Sequence, residues 1–243
     1  MVARPPLAVV VDRMTVDDLP AVHEIEQESF TTPWPAHAYR QELEQNKLAH
    51  YLVARYGNQI VGFAGIWLLV DEAHVTTFAT RASWRRQGIG ERMLMALLDL
   101  SIARGAAEAT LEVRPSNVPA RRLYEKYGFK VVGVRPRYYS DDNEDALIMT
   151  SDPLETRQMR ERLAARRAEL AARPDIQLGP DGRPVERPGR SADEASGAGR
   201  LSGARQAPGE GREGPAGRGM GGAEDRQKEP RVIRPSAISR KPR

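Results

Sequence analysis

The chain has 243 residues and a formal net charge of +4, a length for one or two domains. It has no cysteine, which excludes disulfides, a thiolate nucleophile and a cysteine-based zinc site. No apolar run approaches the roughly 20 residues of a membrane span, and the short run opening MVARPPLAVVVDRM meets Asp12 and Arg13 without a cleavage site, so the sequence predicts a soluble, cytoplasmic protein.

In chain order, the β-branched stretch 7–14 predicts a strand, and TVDDLPAVHEIEQESF predicts a helix with Asp17 or Asp18 as its cap and a stripe of Leu19, Val22, Ile25 and Phe30. TTPWP breaks it and AHAYRQELEQN forms a second short helix. AHYLVARYGNQIVGFAGIWLLV reads as two strands joined at YGNQ, and EAHVTTFAT as a third. A helix over Ile89–Arg104 follows, with Ile89, Met93, Leu97 and Leu100 on one buried face and Gly105 at its end. EATLEV is a strand, Asn117 caps the helix VPARRLYEKYG, and FKVVGVRPRYY and DALIMTS form a final antiparallel pair. This order predicts one α+β domain with a mixed sheet, ending near residue 152. Residues 153–173 predict a charged helix whose Leu and Ala residues offer a docking face. Residues 174–243 are Gly- and Pro-rich, lack aromatics, and are expected to be a disordered tail.

The stretch RRQGIG stands between the strand EAHVTTFAT and the Ile89 helix. A glycine-rich strand-to-helix junction exposes unpaired helix N–H groups and the positive end of the helix dipole, which suits a phosphate. The same residues also suit a tight turn that simply needs glycine. Met93 stands where G-x-G-x-x-G needs its third glycine, and no G-x-x-x-x-G-K-[ST] occurs.

R-x-x-G-x-G followed by an amphipathic helix resembles the pyrophosphate loop of the GNAT acetyltransferases. Four patterns in order sharpen the resemblance to the ribosomal-protein-alanine N-acetyltransferases within that superfamily: Pro33-Trp34, the run Leu111 to Asn117, the run Leu123 to Phe129, and Tyr138-Tyr139 with the arginine supplied by Arg135 or Arg137. The resemblance covers roughly residues 8–150 and implies a GNAT-type, mostly antiparallel sheet flanked by helices. It also implies acetyl-coenzyme A as co-substrate and the N-terminal α-amine of a protein as acceptor, the N-terminal alanine of small-subunit ribosomal protein eighteen. Other protein N-termini, lysine or a small amine are alternative acceptors, and a non-catalytic acetyl-coenzyme A-binding module is a further alternative.

The resemblance assigns Glu112 as general base and Tyr124 as general acid. Glu112 otherwise reads as a strand-edge glutamate facing water or pairing with Arg114, and Tyr124 as a core aromatic. Backbone groups of Phe78, Ala79 and Thr80 would hold the pantetheine arm in a slot opened by a splay or bulge beside EATLEV. Backbone amides of Arg86, Gln87, Gly88, Ile89, Gly90 and Glu91 would hold the pyrophosphate, with Asn117 a further cofactor contact. Trp34, Tyr138 and Tyr139 would line the peptide groove or serve as ordinary core or surface aromatics. The four histidines receive no role, no metal site is expected, and the tail's arginines imply at most a weak, salt-sensitive RNA contact.

Overall fold

The computed structural model describes residues 8–173, together with Ile176, Arg183 and Pro184. The remaining expected tail lies outside the described residues. Strand β1 (Val9–Arg13) is followed by a 3-10 turn and helices α1 (Leu19–Ser29) and α2 (Ala36–Gln45). Next come β2 (Ala49–Tyr56), β3 (Gln59–Leu69), β4 (Glu72–Thr80), α3 (Ile89–Ala103) and β5 (Glu108–Val113). Helix α4 (Val118–Lys126), β6 (Phe129–Arg135), β7 (Ala146–Ser151) and α5 (Arg157–Ala171) complete the described elements. This is the order the hydrophobic periodicity predicts.

The strands form one seven-stranded sheet in the order β1-β2-β3-β4-β5-β7-β6. All neighbours are antiparallel except β4 and β5. One apolar cluster lies under α3, α4 and α5 and a second under α1 and α2. The sheet is thus the middle layer of three, and its inward side chains feed both cores.

Two local departures from the sequence reading have clear causes. Asp18 does not cap α1 through its side chain. Its carboxylate accepts the Thr15 amide (2.8 Å) and hydroxyl (3.0 Å) and pairs with Arg55 on β2 (2.8 Å), tying the entry of α1 to the sheet. Strand β6 ends at Arg135 rather than running through Tyr139. Pro136 has no N–H to give the ladder, and Arg137 takes φ 51° with its amide donated to Asp145 (2.7 Å), so Tyr138 and Tyr139 lie in the β6–β7 loop.

The β4–β5 pairing is short. Glu72–Val75 pair with Glu108–Leu111, whereas on its other side β4 stays paired with β3 up to Thr80 opposite Gly62. The β3 register steps from Gly65 opposite Thr77 to Ile66 opposite Val75, so Thr76 is an extra residue on β4. A bulge bends the strand that carries it. Here it falls where β4 parts from β5, and the two strands open into a wedge from Thr76 onward.

Helix α3 is buried on more than the face the sequence reading used. Ile89, Met93 and Leu97 are buried, and so are Leu94, Met95 and Leu98. A helix apolar on several sides needs covers on several sides. The sheet is one cover and α5 is another, through buried Met159, Leu163 and Leu170.

Candidate active site

The wedge, the start of α3 and helix α4 converge. Left-handed φ values at Arg86 (64°) and Gly88 (83°) turn the chain from β4 into α3. Gly88 is the N-cap residue and offers no side chain to the helix, whose first intrahelical bond runs from Arg92 N to Gly88 O (3.1 Å). The N–H groups of the first turn are therefore without helical acceptors, and left-handed turns of this kind make anion-binding concavities. A Cβ built on Gly90 would lie 3.4 Å from Leu123 Cδ2 and 3.6 Å from Phe78 Cε1. The glycine thus lets the loop reach both the end of β4 and α4. These features fit a diphosphate held by backbone amides, next to a slot whose wall is the unpaired side of β4.

Glu112 is 1% exposed and stands on β5 just beyond the last residue paired with β4. One carboxylate oxygen lies 2.9 Å from Arg135 Nε, and the other lies 2.9 Å from His74 Nε2, at ion-pair distance but off good hydrogen-bond geometry. Glu112 therefore neither faces water at a strand edge nor pairs with Arg114. Arg114 instead bonds Asp141 (2.5 Å), Asp142 (2.7 Å) and Glu144 (3.0 Å). Of the two candidate arginines before the tyrosine pair, Arg135 reaches the site.

His74, assigned no role from the sequence, is a buried neighbour of Glu112 that the sequence reading did not find. Burial works against its charge, but the carboxylates of Glu112 and Glu72 outweigh burial and push its pKa up to about 9. It is an imidazolium at neutral pH. Raised from an ordinary value near 6.5, it contributes about 3 kcal/mol of stability, present in full below about pH 6.5 and lost as pH rises through about 9. We expect the stability difference between wild type and His74→Gln to shrink by about 3 kcal/mol between about pH 6.5 and 9.5. Urea denaturation at the two pH values checks this, and a pH-independent difference would show that His74 is not charged in the folded protein.

Asn117 accepts the Ala120 amide (3.2 Å) and caps α4 as expected, which sets the helix that presents Tyr124. Tyr124 is 1% exposed, packed edge-on against Phe78 (6.2 Å between ring centres) and against Phe129 (5.7 Å). Its hydroxyl has no hydrogen bond among the described residues, and burial raises its pKa. It is a neutral phenol with a proton to give, beside the slot wall. The packing matches the core-aromatic reading of Tyr124 and leaves its hydroxyl proton in place.

Two loops meet beside Arg114. Tyr139 lies under the Arg114 guanidinium (3.8 Å), and Thr31 of the α1–α2 loop hydrogen-bonds Asp141 of the β6–β7 loop. A cleft of about 170 Å³ lies between them, lined by Ser29, Thr31, Arg114 and the β6–β7 carboxylates. Burial raises the pKa of both Tyr138 and Tyr139, and the nearby charge of Glu112 adds to it. Trp34 packs on Tyr39 (5.4 Å), and its amide donates to Glu26 (2.9 Å), which also accepts the Tyr39 hydroxyl (2.9 Å). Glu26, fully buried, fixes this loop and was not legible as a site residue. The structure thus gathers Glu112, His74, Arg135, Tyr124, Tyr138, Tyr139 and Phe78. Trp34 joins them through the tie between the two loops. Among the described residues, no His, Asp and Glu group suits a metal ion, and no helix is long and apolar enough to cross a membrane.

Residues 19–129 match the Acetyltransferase (GNAT) family. A Bacillus subtilis protein provisionally named ribosomal protein bS18-alanine N-acetyltransferase is 41% identical over 139 residues, 57% of this chain and 92% of its own. The N-alpha-acetyltransferase RimI of Mycobacterium tuberculosis is 38% identical over 150 residues, 59% of this chain and 92% of its own. The crystal structure of the ribosomal-protein-S18-alanine N-acetyltransferase from Escherichia coli superposes with a TM-score of 0.57 at 32% identity, covering 61% of this chain and 96% of that one.

Proposed function

Since the chain belongs to the acetyltransferase (GNAT) family, we propose that it transfers an acetyl group from acetyl-coenzyme A to the N-terminal α-amine of a protein. The N-terminal alanine of ribosomal protein bS18 is the acceptor we favour, supported by the names of the relatives above. A cytoplasmic enzyme working on newly made ribosomal protein fits that acceptor.

The observation that carries the chemistry is the buried Glu112 carboxylate at the point where β4 and β5 part, held between His74 and Arg135. Glu112 receives the proton that the attacking amine sheds, and Tyr124 supplies a proton to the departing sulfur. His74 and Arg135 hold the Glu112 side chain in place between transfers. Backbone groups of Phe78, Ala79 and Thr80 extend along the pantetheine arm as a strand partner. The amides of residues 86–91 take the diphosphate, Asn117 sits beside the donor, and Trp34, Tyr138 and Tyr139 flank the peptide. The thioester brings an activated acetyl group and a good leaving group.

A carboxylate suits an α-amine better than lysine. An ordinary glutamate pKa is about 4.3, against roughly 7.7–8.0 for an α-amine and about 10.4 for lysine, so the proton moves against a gap smaller by more than two units. We expect a peptide beginning with alanine to be acetylated at its N-terminus, and an N-terminally blocked lysine peptide to react at least about 10²-fold more slowly. Mass spectrometry of the products with kcat/KM for a panel of N-termini, lysine peptides and small amines tests this. Faster reaction of the lysine peptide or of a small amine would reassign the acceptor.

A further inference from the structure

Helix α5 runs antiparallel to α3. Arg167 pairs with Asp99 (2.9 Å), Arg92 donates to the Leu170 carbonyl (3.4 Å), and Arg173 pairs with Glu91 (2.5 Å). The ladder descends α3 toward its N-terminus and ends at the glycine loop. There Arg173 Nη1 lies only 2.5 Å from where a Cβ on Gly88 would stand, so the guanidinium rests on the bare face of that left-handed glycine. Glu91 also pairs with Lys126 of α4. Partial burial works to raise the Glu91 pKa, and Lys126 and Arg173 more than offset it and hold it below the usual value. Lys126 also reaches Glu169 (3.5 Å), itself paired with Arg166, so three cations meet two carboxylates and the rim of the loop keeps an excess of positive charge.

We propose that Arg173 is a phosphate-binding residue for the acetyl donor, delivered to the pyrophosphate loop by an appended helix. This rests on the acetyl-transfer reading and adds to it a ligand carried beyond the end of α5, past the 19–129 match to the family. Glu91 holds the guanidinium at the rim, and a planar guanidinium offers paired N–H donors to phosphate oxygens from the side opposite the loop amides. The docked face of α5 gives the residue a defined position, which lowers the ordering cost of the contact.

The test is calorimetric titration of the full chain and its Arg173→Gln variant with acetyl-coenzyme A, and with dephospho-coenzyme A, which lacks the 3′-phosphate and keeps the diphosphate. Both ligands should bind the variant about 10-fold or more weakly. With acetyl-pantetheine, which has no diphosphate, kcat/KM should be the same for the two proteins. Arg167→Gln, which removes the ion pair to Asp99 far from the loop, is the control for helix docking and should leave affinity unchanged. Equal or tighter binding by Arg173→Gln overturns the proposal, the tighter result marking Arg173 as a plug rather than a ligand. Equal weakening by Arg167→Gln also overturns it, since the effect would then belong to the helix. Loss confined to acetyl-coenzyme A, with dephospho-coenzyme A unaffected, overturns the assignment to the diphosphate. Wild-type protein that binds none of these donors would bring down the acetyl-transfer reading itself.

Discussion

Glu112→Gln is expected to lower kcat by about 10²–10⁴ while leaving acetyl donor affinity within a factor of about two. The amide keeps the shape of the side chain and loses the site that accepts the amine's proton. The substitution also removes the negative charge that sits between His74 and Arg135. The imidazolium then faces a guanidinium without a shared counter-ion, so the His74 pKa falls from about 9 toward its ordinary value or below. Two readouts separate catalysis from structure. In the wild type, a pH–rate profile should carry a limb near pH 9, where His74 loses its proton and its hold on Glu112; in the variant that limb should be gone. Removing one partner of a buried ion pair costs on the order of 3–5 kcal/mol, so the assay has to be run well below the variant's melting temperature. A variant that turns over within a factor of about three of wild type, with its fold intact, would take Glu112 out of the base role.

The proposed catalytic pair could be named from the sequence because Glu112 and Tyr124 lie in continuous runs, Leu111 to Asn117 and Leu123 to Phe129, whose residue order carries the resemblance. The expected slot beside EATLEV was legible too, although the residue that opens it, Thr76, is unremarkable as a letter in a β-branched run. The partners of Glu112 were not. His74 meets it only because β4 and β5 pair in one particular parallel register, with His74 opposite Thr110 and Glu112 two residues on. Nothing in two separate strands states their register. Arg135 meets Glu112 because β6 pairs with β7, β7 pairs with β5, and the chain turns at Pro136. Glu26 was hidden for the opposite reason: a glutamate in a helix with many charges reads as solvated until Tyr39 and the Trp34 amide are found on it. These are long-range facts, and local composition is silent on them.

Helix α3 shows a signal that was present and only half used. The stripe Ile89, Met93, Leu97 and Leu100 accounts for one cover, and Leu94, Met95 and Leu98 are left over on other sides. Met159, Leu163 and Leu170 recur at spacings of four and seven along α5, which is a seam of matching period. A chain ending at Asp152 is therefore expected to melt at least about 5 °C below the full chain, equivalent to about 2 kcal/mol at this size, and to show a stronger tendency to associate through the uncovered face. Leu154, Met159, Leu163 and Leu170 are each no more than 4% exposed, and burial of such a side chain is worth about 1.5–3 kcal/mol before the ordering entropy of the helix is set against it. Ending the chain after residue 176 is expected to keep the parent's melting temperature and its kcat/KM on an alanine-starting peptide. That end point retains α5 and the Ile176 carbonyl, which accepts the Tyr56 hydroxyl (3.1 Å) while the Tyr56 ring packs on Trp84 (4.9 Å). Calorimetric melts of the two shortened chains decide the matter. If the shorter one melts with the full chain, α5 rests on α3 without holding it, and the catalytic domain closes at β7; if the longer one fails on the free peptide, the domain reaches further still into the Gly- and Pro-rich segment.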